Sequence, residues 1–371
     1  MNKQIIFPDY KNNILGIPNS ILSYFGAKPH NDTLSILDKR LRKGFRRVVL
    51  LVLDGLGMDA LETHAPDGFL MKNCVTQLHS VYPCTTTSAL TTFETGLTPI
   101  QHGWLGWTSY FEEINKCVDL YSGNESGTNR PASDRNIVWE TIGYESIFSQ
   151  INEADSDVEC CRVSLFGEYW SDTNEGICNH IKTLCNKDGQ RYIYSYHFQP
   201  DTDMHEHGCN NERVKADIVL FDKQIEQLAE NLTDTLLIVT ADHGMTDTKT
   251  LCLEDYPEIW KTLSAPPSRE PRSLSFFVKD YYKHDFPVIW RKHFDESFLL
   301  MTGVHAYESE FFNKGLPHKH ALRFLGDYVA LATEEISIWY RNEKGIMKDY
   351  KGLHAGLTEK EMIVPLILIE R

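Results

Sequence analysis

Twice in this chain a short run of apolar and β-branched residues stops on an acidic residue with glycine close behind. The two stretches are VVLLVLDGLG, ending at Asp54, and TLLIVTADHGMTD, ending at Asp242 and His243. Runs of this length, residues 48–53 and 236–240, suit fully buried strands. A carboxylate and an imidazole side by side at the end of a buried strand are costly without a partner. In an open α/β sheet, however, the carboxyl ends of the strands meet at the crevice where ligands bind. Gly244 lets the backbone turn away sharply, so that Asp242 and His243 can both face that crevice. Carboxylate oxygen beside imidazole nitrogen is a donor set suited to a zinc-like ion.

The remaining pattern alternates strand with helix. Residues 57–64 read as the start of a helix, 75–81 as a strand, and CTTTSALTTFETG as a helix capped by Ser/Thr at its start and Gly96 at its end. Residues 137–150 read as one helix, 158–166 and 191–198 as strands, and 211–231 as a long amphipathic helix. A strand at 273–278 and a helix at 286–294 follow, and the chain closes with a short helix and an apolar strand in GLHAGLTEKEMIVPLILIER. This order predicts an α/β fold around a largely parallel sheet. Residues 1–371 read as a single catalytic domain with inserts at about 103–133 and 248–350, the first an excursion over the mouth of the site.

Charge narrows the partners. A formal charge of −15 argues against a nucleic-acid duplex, whose backbone needs clustered Lys and Arg. An acidic protein can still take a phosphate group if metal ions supply the local positive charge. The nine cysteines are odd in number and contain no CxxC pair, which points to a reducing compartment. No apolar run approaches membrane-spanning length, and the first residues carry no secretory pattern, so the expected location is cytoplasmic, with no membrane partner.

Four strand ends present metal-type ligands: Asp54; Asp201 with His205; Asp242 with His243; and His354. Mixed carboxylate and imidazole donors fit two zinc-like ions better than magnesium or calcium, which prefer oxygen alone. Two such ions can clamp the attacking and leaving oxygens of an in-line displacement. The run Thr85-Thr86-Thr87 at a helix start offers a nucleophile, where unpaired N–H groups would receive anionic oxygens.

These residues resemble the alkaline phosphatase superfamily, most closely its nucleotide pyrophosphatase/phosphodiesterase branch. The matching pieces are VLLVLDGLG, VYPCTTTSALTTFETGLTPIQHG, PDTDMHEHG, IVTADHGM and GLHAGLTEKEMIVP, in the family's order across residues 48–365. The resemblance implies a doubly wound sheet with helices on both faces and a small cap region. It implies that Thr86 is the nucleophile and binds one divalent ion together with Asp54, Asp242 and His243. Asp201, His205 and His354 would hold the second ion, and zinc is the expected metal at both. The implied reaction is hydrolysis of a small-molecule phosphodiester or nucleotide through a phosphothreonine intermediate. A phosphomonoesterase, a phosphonoacetate hydrolase of the same superfamily and a catalytically silent metal-binding protein are the alternatives. Sulfatases need a Cys or Ser in a C/S-x-P-x-R setting, which residues 84–88 lack. The chain departs from the branch at Ala89, where the pattern has Asn, and at Ala355, where it has Gly.

Substrate contacts are expected from the aromatic tract that follows the nucleophile helix, chiefly Trp104 and Trp107, because flat rings favour offset stacking. His102 is expected to cap a turn, Cys84 to be a buried thiol, and Asp203 and His207 to lie off the ligand spacing. Arg269 and Arg272 are expected to be exposed loop charges.

Overall fold

In the centre of the molecule, strand β1 (Arg47–Leu53) is buried along its whole length. That is the condition under which a strand reads as a continuous rather than an alternating apolar run. The computed structural model, which describes residues 5–312 and 315–371, builds a seven-stranded sheet around it. The other strands are β2 (Cys74–His79), β3 (Val158–Ser164), β4 (Tyr169–Trp170), β5 (Gln190–His197), β6 (Thr235–Thr240) and β7 (Ile363–Glu370). Their order is β2-β7-β6-β1-β5-β3-β4. β1 pairs in parallel with both β5 and β6, and β3 runs parallel to β5 and β4. Only β7 runs the other way, antiparallel to β6 and β2. Helices cover both faces in a doubly wound arrangement.

Register brings the predicted ligands together. Leu53 pairs with His197, and Val52 with Thr240. The next residue of β1, the turn after β5 and the turn after β6 therefore leave the sheet at one edge, carrying Asp54, Asp201 and Asp242.

Several expected elements shift. The single helix expected over 137–150 is two, Ile137–Ile142 and Ile147–Ala154. Gly143 ends the first in an extended conformation, and the Ser146 side chain caps the second by accepting from the Ser149 amide. The two pieces bury their isoleucines in different cores, Ile137 and Ile142 in one and Ile147 and Ile151 in the other. The strand expected over 158–166 ends at Ser164. The long helix runs over Glu212–Glu230, with Asn211 as its N-cap.

The first insert forms an antiparallel hairpin, Thr108–Phe111 with Lys116–Asp119. The second contains a four-stranded antiparallel sheet in the order Ser268–Glu270, Ser273–Phe276, Tyr328–Ala332, Phe298–Thr302. The helix Phe286–Phe294 packs against this sheet through Phe286, Trp290 and Phe294, in a core separate from that of the main sheet. No helix among the described residues is long and apolar enough to cross a membrane.

Candidate metal centre

Asp242 leaves β6 fully buried. Its Oδ1 accepts from the amides of Gly55 and His243 at 3.1 and 3.0 Å, while its Oδ2 has no donor. Asp54, at the end of β1, accepts a hydrogen bond on Oδ2 from the Tyr196 hydroxyl and leaves Oδ1 without one. The imidazole of His243 stands between them, its Nε2 3.4 Å from Asp54 Oδ1 and 3.4 Å from Asp242 Oδ2. Burial, with Asp242 and Asp201 nearby, pushes the Asp54 carboxyl well above the usual carboxylate range.

The second group is built on the helix Asp201–His207, which follows β5. Asp201 Oδ1 also lacks a donor; it lies 3.4 Å from His205 Nε2 and 3.8 Å from His354 Nε2. Burial raises its pKa as well. His354 stacks on His243 with ring centroids 3.8 Å apart, so the two groups are contiguous. Burial and the neighbouring imidazoles hold His354 well below its ordinary value, and so in the neutral, ligating form.

All three imidazoles are oriented alike. His205 Nδ1 lies 2.7 Å from the Gly352 carbonyl, His243 Nδ1 3.0 Å from that of Gly244, and His354 Nδ1 3.2 Å from that of Cys84. A carbonyl only accepts, so each Nδ1 carries the proton and each Nε2 presents its lone pair to the cluster. Three buried carboxylate oxygens without donors face three such nitrogens. Without cations this is a costly arrangement; with two divalent ions every one of these atoms gains a partner. The donor set therefore fits the metals implied by its chemistry. Asp54, Asp242 and His243 form one compact group, and Asp201, His243 and His354 another; His205 reaches the second through Asp201.

The threonine run resolves into three environments. Thr85 is the N-cap residue of the helix Thr86–Thr95, and its hydroxyl donates to Glu270 Oε1 at 2.7 Å. Thr86 Oγ1 lies 3.2 Å from His243 Nε2, at the edge of the cluster. Thr87 Oγ1 is buried without a hydrogen-bond partner.

A family profile described as type I phosphodiesterase/nucleotide pyrophosphatase matches residues 48–356. The chain belongs to that family. Among solved structures, murine ectonucleotide pyrophosphatase/phosphodiesterase 5 aligns with a TM-score of 0.63 at 17% identity, covering 87% of this chain and 88% of its own. The inactive threonine-to-alanine variant of that murine protein, in complex with AMP, aligns at 0.58 and 17% identity, covering 86% and 87%. Phosphonoacetate hydrolase from Sinorhizobium meliloti, in complex with phosphonoformate, aligns at 0.62 and 15% identity, covering 87% and 89%. A comparison with curated proteins returns no match.

Beside the candidate metal ligands of this phosphodiesterase-family chain opens a cavity of about 500 Å³. Thr86, Asp201, His205 and His354 line one end, and Trp107, Trp339, Tyr340 and Tyr350 supply aromatic walls. The two tryptophans expected to touch substrate are separated here. Trp107 lines the cavity and is 42% exposed. Trp104 is only 4% exposed, donates from Nε1 to the Ile142 carbonyl, packs on Tyr121 and Tyr144, and is not part of the cavity wall. One aromatic tract thus splits between wall and core.

The two arginines expected on an exposed loop are buried. Arg272 is 0% exposed and pairs through Nε and Nη2 with both carboxylate oxygens of Glu361, at 2.6 and 2.7 Å. Arg269 donates to Ser273 Oγ, and its guanidinium lies over the Phe312 ring. A loop-like composition hid the strand Ser268–Glu270, which pairs with the expected strand at Ser273–Phe276. Asp203 is buried and paired with Arg213. His102 accepts from the Trp104 amide, and Cys84 is a buried thiol bonded to the Gly356 carbonyl. Tyr196, Glu270 and the wall residues 338–350 were not singled out from sequence. Tyr196 had a signal in the alternation of RYIYSYHF, which puts it and Tyr194 on the same side of β5.

Proposed function

We propose that this chain hydrolyses phosphodiester or pyrophosphate bonds of a small molecule, with Thr86 as nucleophile beside two divalent ions. The observation that carries the reading is the set of three donorless buried carboxylate oxygens, on Asp54, Asp201 and Asp242, gathered with Thr86 at one sheet edge. Asp54, Asp242, His243 and Thr86 would hold one ion, and Asp201, His205 and His354 the other; the mixed oxygen and nitrogen donors favour zinc. Bound there, the ions stabilise charge on the attacking and leaving oxygens.

The chain's own groups do the rest. Thr86 Oγ1 forms a bond to phosphorus as the bond to the leaving oxygen breaks, and water later attacks phosphorus to release the threonine. The first amides of the helix Thr86–Thr95 are placed to receive the non-bridging oxygens. The inactivity of the murine relative's threonine-to-alanine variant agrees with a threonine nucleophile. Trp107, Trp339 and Tyr350 would take a planar organic group of the substrate.

A monoester or phosphonate specialist would be expected to carry a cation for the extra charge on its substrate. Arg272 is consumed by Glu361; Arg269 lines the cavity, but it donates to Ser273, lies over Phe312 and has the Glu270 carboxyl beside it to offset its charge. The diester reading is tested with zinc-loaded protein and the aryl pair bis(p-nitrophenyl) phosphate and p-nitrophenyl phosphate. A higher kcat/KM for the diester is expected; a clear monoester preference rejects it.

A further inference from the structure

Glu270 is a buried carboxyl that the reaction outlined above does not use. It ends the strand Ser268–Glu270 of the second insert and lines the same cavity as Thr86, Asp201, His205 and His354. Its Oε1 takes two hydrogen bonds, from the Thr85 hydroxyl at 2.7 Å and the Trp107 amide at 2.6 Å. Thr85 immediately precedes the proposed nucleophile, and Trp107 belongs to the first insert. One carboxyl thus ties both inserts to the start of the helix where a phosphoryl group would sit. Among the described residues Glu270 forms no ion pair, and no donor reaches its Oε2. Its sequence neighbour Arg269 donates to Ser273 and lies over Phe312; it lines the same cavity, and its charge opposes the rise of the Glu270 pKa without an ion-pair contact.

A carboxylate so placed repels anions, and the repulsion grows with each unit of charge on the ligand. A phosphodiester brings one negative charge to the reacting phosphorus, while a monoester or inorganic phosphate brings two near pH 8.5. We propose that Glu270 is a specificity-determining residue that disfavours dianionic phosphoryl groups, and so selects diesters over monoesters. The inference rests on the phosphoryl-transfer reading and extends it to the charge of the substrate. Burial pushes this carboxyl up to about 7, still below the pH of the assay, and divalent ions held by the neighbouring ligands would favour its charged form further.

The test compares zinc-loaded wild type with Glu270→Gln, whose amide oxygen can still accept from Thr85 and Trp107, and with Glu270→Ala. The readout is the ratio of kcat/KM for p-nitrophenyl phosphate to that for bis(p-nitrophenyl) phosphate near pH 8.5. Taken within one preparation, this ratio cancels any general loss of active protein. It should rise by about 10-fold in both variants, the equivalent of losing roughly 1.4 kcal/mol of repulsion. The dissociation constant of inorganic phosphate, measured by calorimetry on the same proteins, should tighten by a similar factor. An equal fall for both esters would assign Glu270 to structure or proton transfer and overturn the proposal, as would an unchanged phosphate affinity. If wild type turned over neither ester, the hydrolase reading would fall, while phosphate affinity would still decide the role of Glu270.

Discussion

The carboxyl edge of the main sheet gathers buried carboxylates, whereas the second insert gathers buried aromatic rings, although Trp290 Nε1 and two nitrogens of Arg269 there are also without a partner. At the sheet edge, Asp54, Asp201 and Asp242 each keep a buried oxygen with no donor. In the insert, Trp290 is enclosed by Phe276, Phe286, Phe294 and Phe298, ring against ring, and the charge of Arg272 is met by Glu361. The first region spends stability on an unfinished polar cluster, and the second supplies apolar packing. Function and stability should therefore respond to substitution in different places.

Thr86→Ala should separate them most widely. With Asp54, Asp242 and His243 still in place to hold the ion that Thr86 would touch, zinc content and melting temperature should stay close to wild type while kcat falls by about 10³-fold or more, as for loss of a nucleophile elsewhere. Thr85→Ala losing activity to the same extent, with Thr86→Ala active, would move the nucleophile by one residue. In the insert, Trp290→Ala should cost about 3–5 kcal/mol in urea unfolding, as for other buried aromatic truncations. A loss under 1 kcal/mol would show that the insert core is not what holds it together.

Ligand removal should break the pattern in a telling way. Asp242→Asn and His354→Ala should lower zinc stoichiometry and cut turnover by more than about 100-fold, the upper end seen for partners of metal ligands. In the metal-free protein, however, Asp242→Asn should raise the melting temperature, because it neutralises one of three crowded carboxylates. A destabilised apo variant would count against the cluster as an electrostatic burden.

The pH dependence follows from the same carboxyls. Asp54 and Asp201 have folded values raised above their unfolded ones. The folded apo protein therefore binds more protons, and its stability falls as pH rises through and above the unfolded carboxylate range. Added zinc should then raise the melting temperature more at pH 8 than at pH 5.5; a zinc effect independent of pH would contradict this. The smallest effect expected is at the cavity wall. Trp107→Ala should lower diester kcat/KM by about 10-fold, within the range for loss of one stacking partner, and Trp104→Ala should act through stability instead. If Trp104→Ala alone weakened diester turnover at unchanged melting temperature, the assignment of Trp107 to the wall would be wrong.

Legibility in the sequence divides along the same line. Asp54, Asp242 and His243 were readable because a parallel strand buried on both faces has a sharp end, marked by the first polar residue and a glycine. His205 and His354 needed the family pattern, since the contacts that orient them, with Gly352 and Cys84, are distant in sequence. In the insert the strand at 273–278 and the helix at 286–294 were legible, and are found at Ser273–Phe276 and Phe286–Phe294, but the other strands were not, for a physical reason. The insert strands are short, three to five residues in the four-stranded sheet, and pair across long separations, so local periodicity carries little of their arrangement. Arg269 and Arg272 looked like loop charges because composition cannot show that Glu361, 89 residues away from Arg272, supplies the counter-charge. The break at Gly143 was missed because isoleucines recur every four or five residues across it, although the two helices bury them in different cores.

The position of β7 carries a consequence for how the protein comes into being. This strand is the last of the seven in sequence, yet it lies between β2 and β6. The segment leading into it also closes the site: Gly244, beside His243, donates to the Glu361 carbonyl at 2.8 Å and leaves no room for a side chain against Lys360. During synthesis, then, β6 and β2 must wait for a strand that the ribosome has not yet delivered. Until it arrives, the loop bearing Asp242 and His243 lacks the backbone that braces it. Metal capture on a nascent chain would thus be deferred until residues 361–370 have emerged, when the ligands can be fixed at their final spacing.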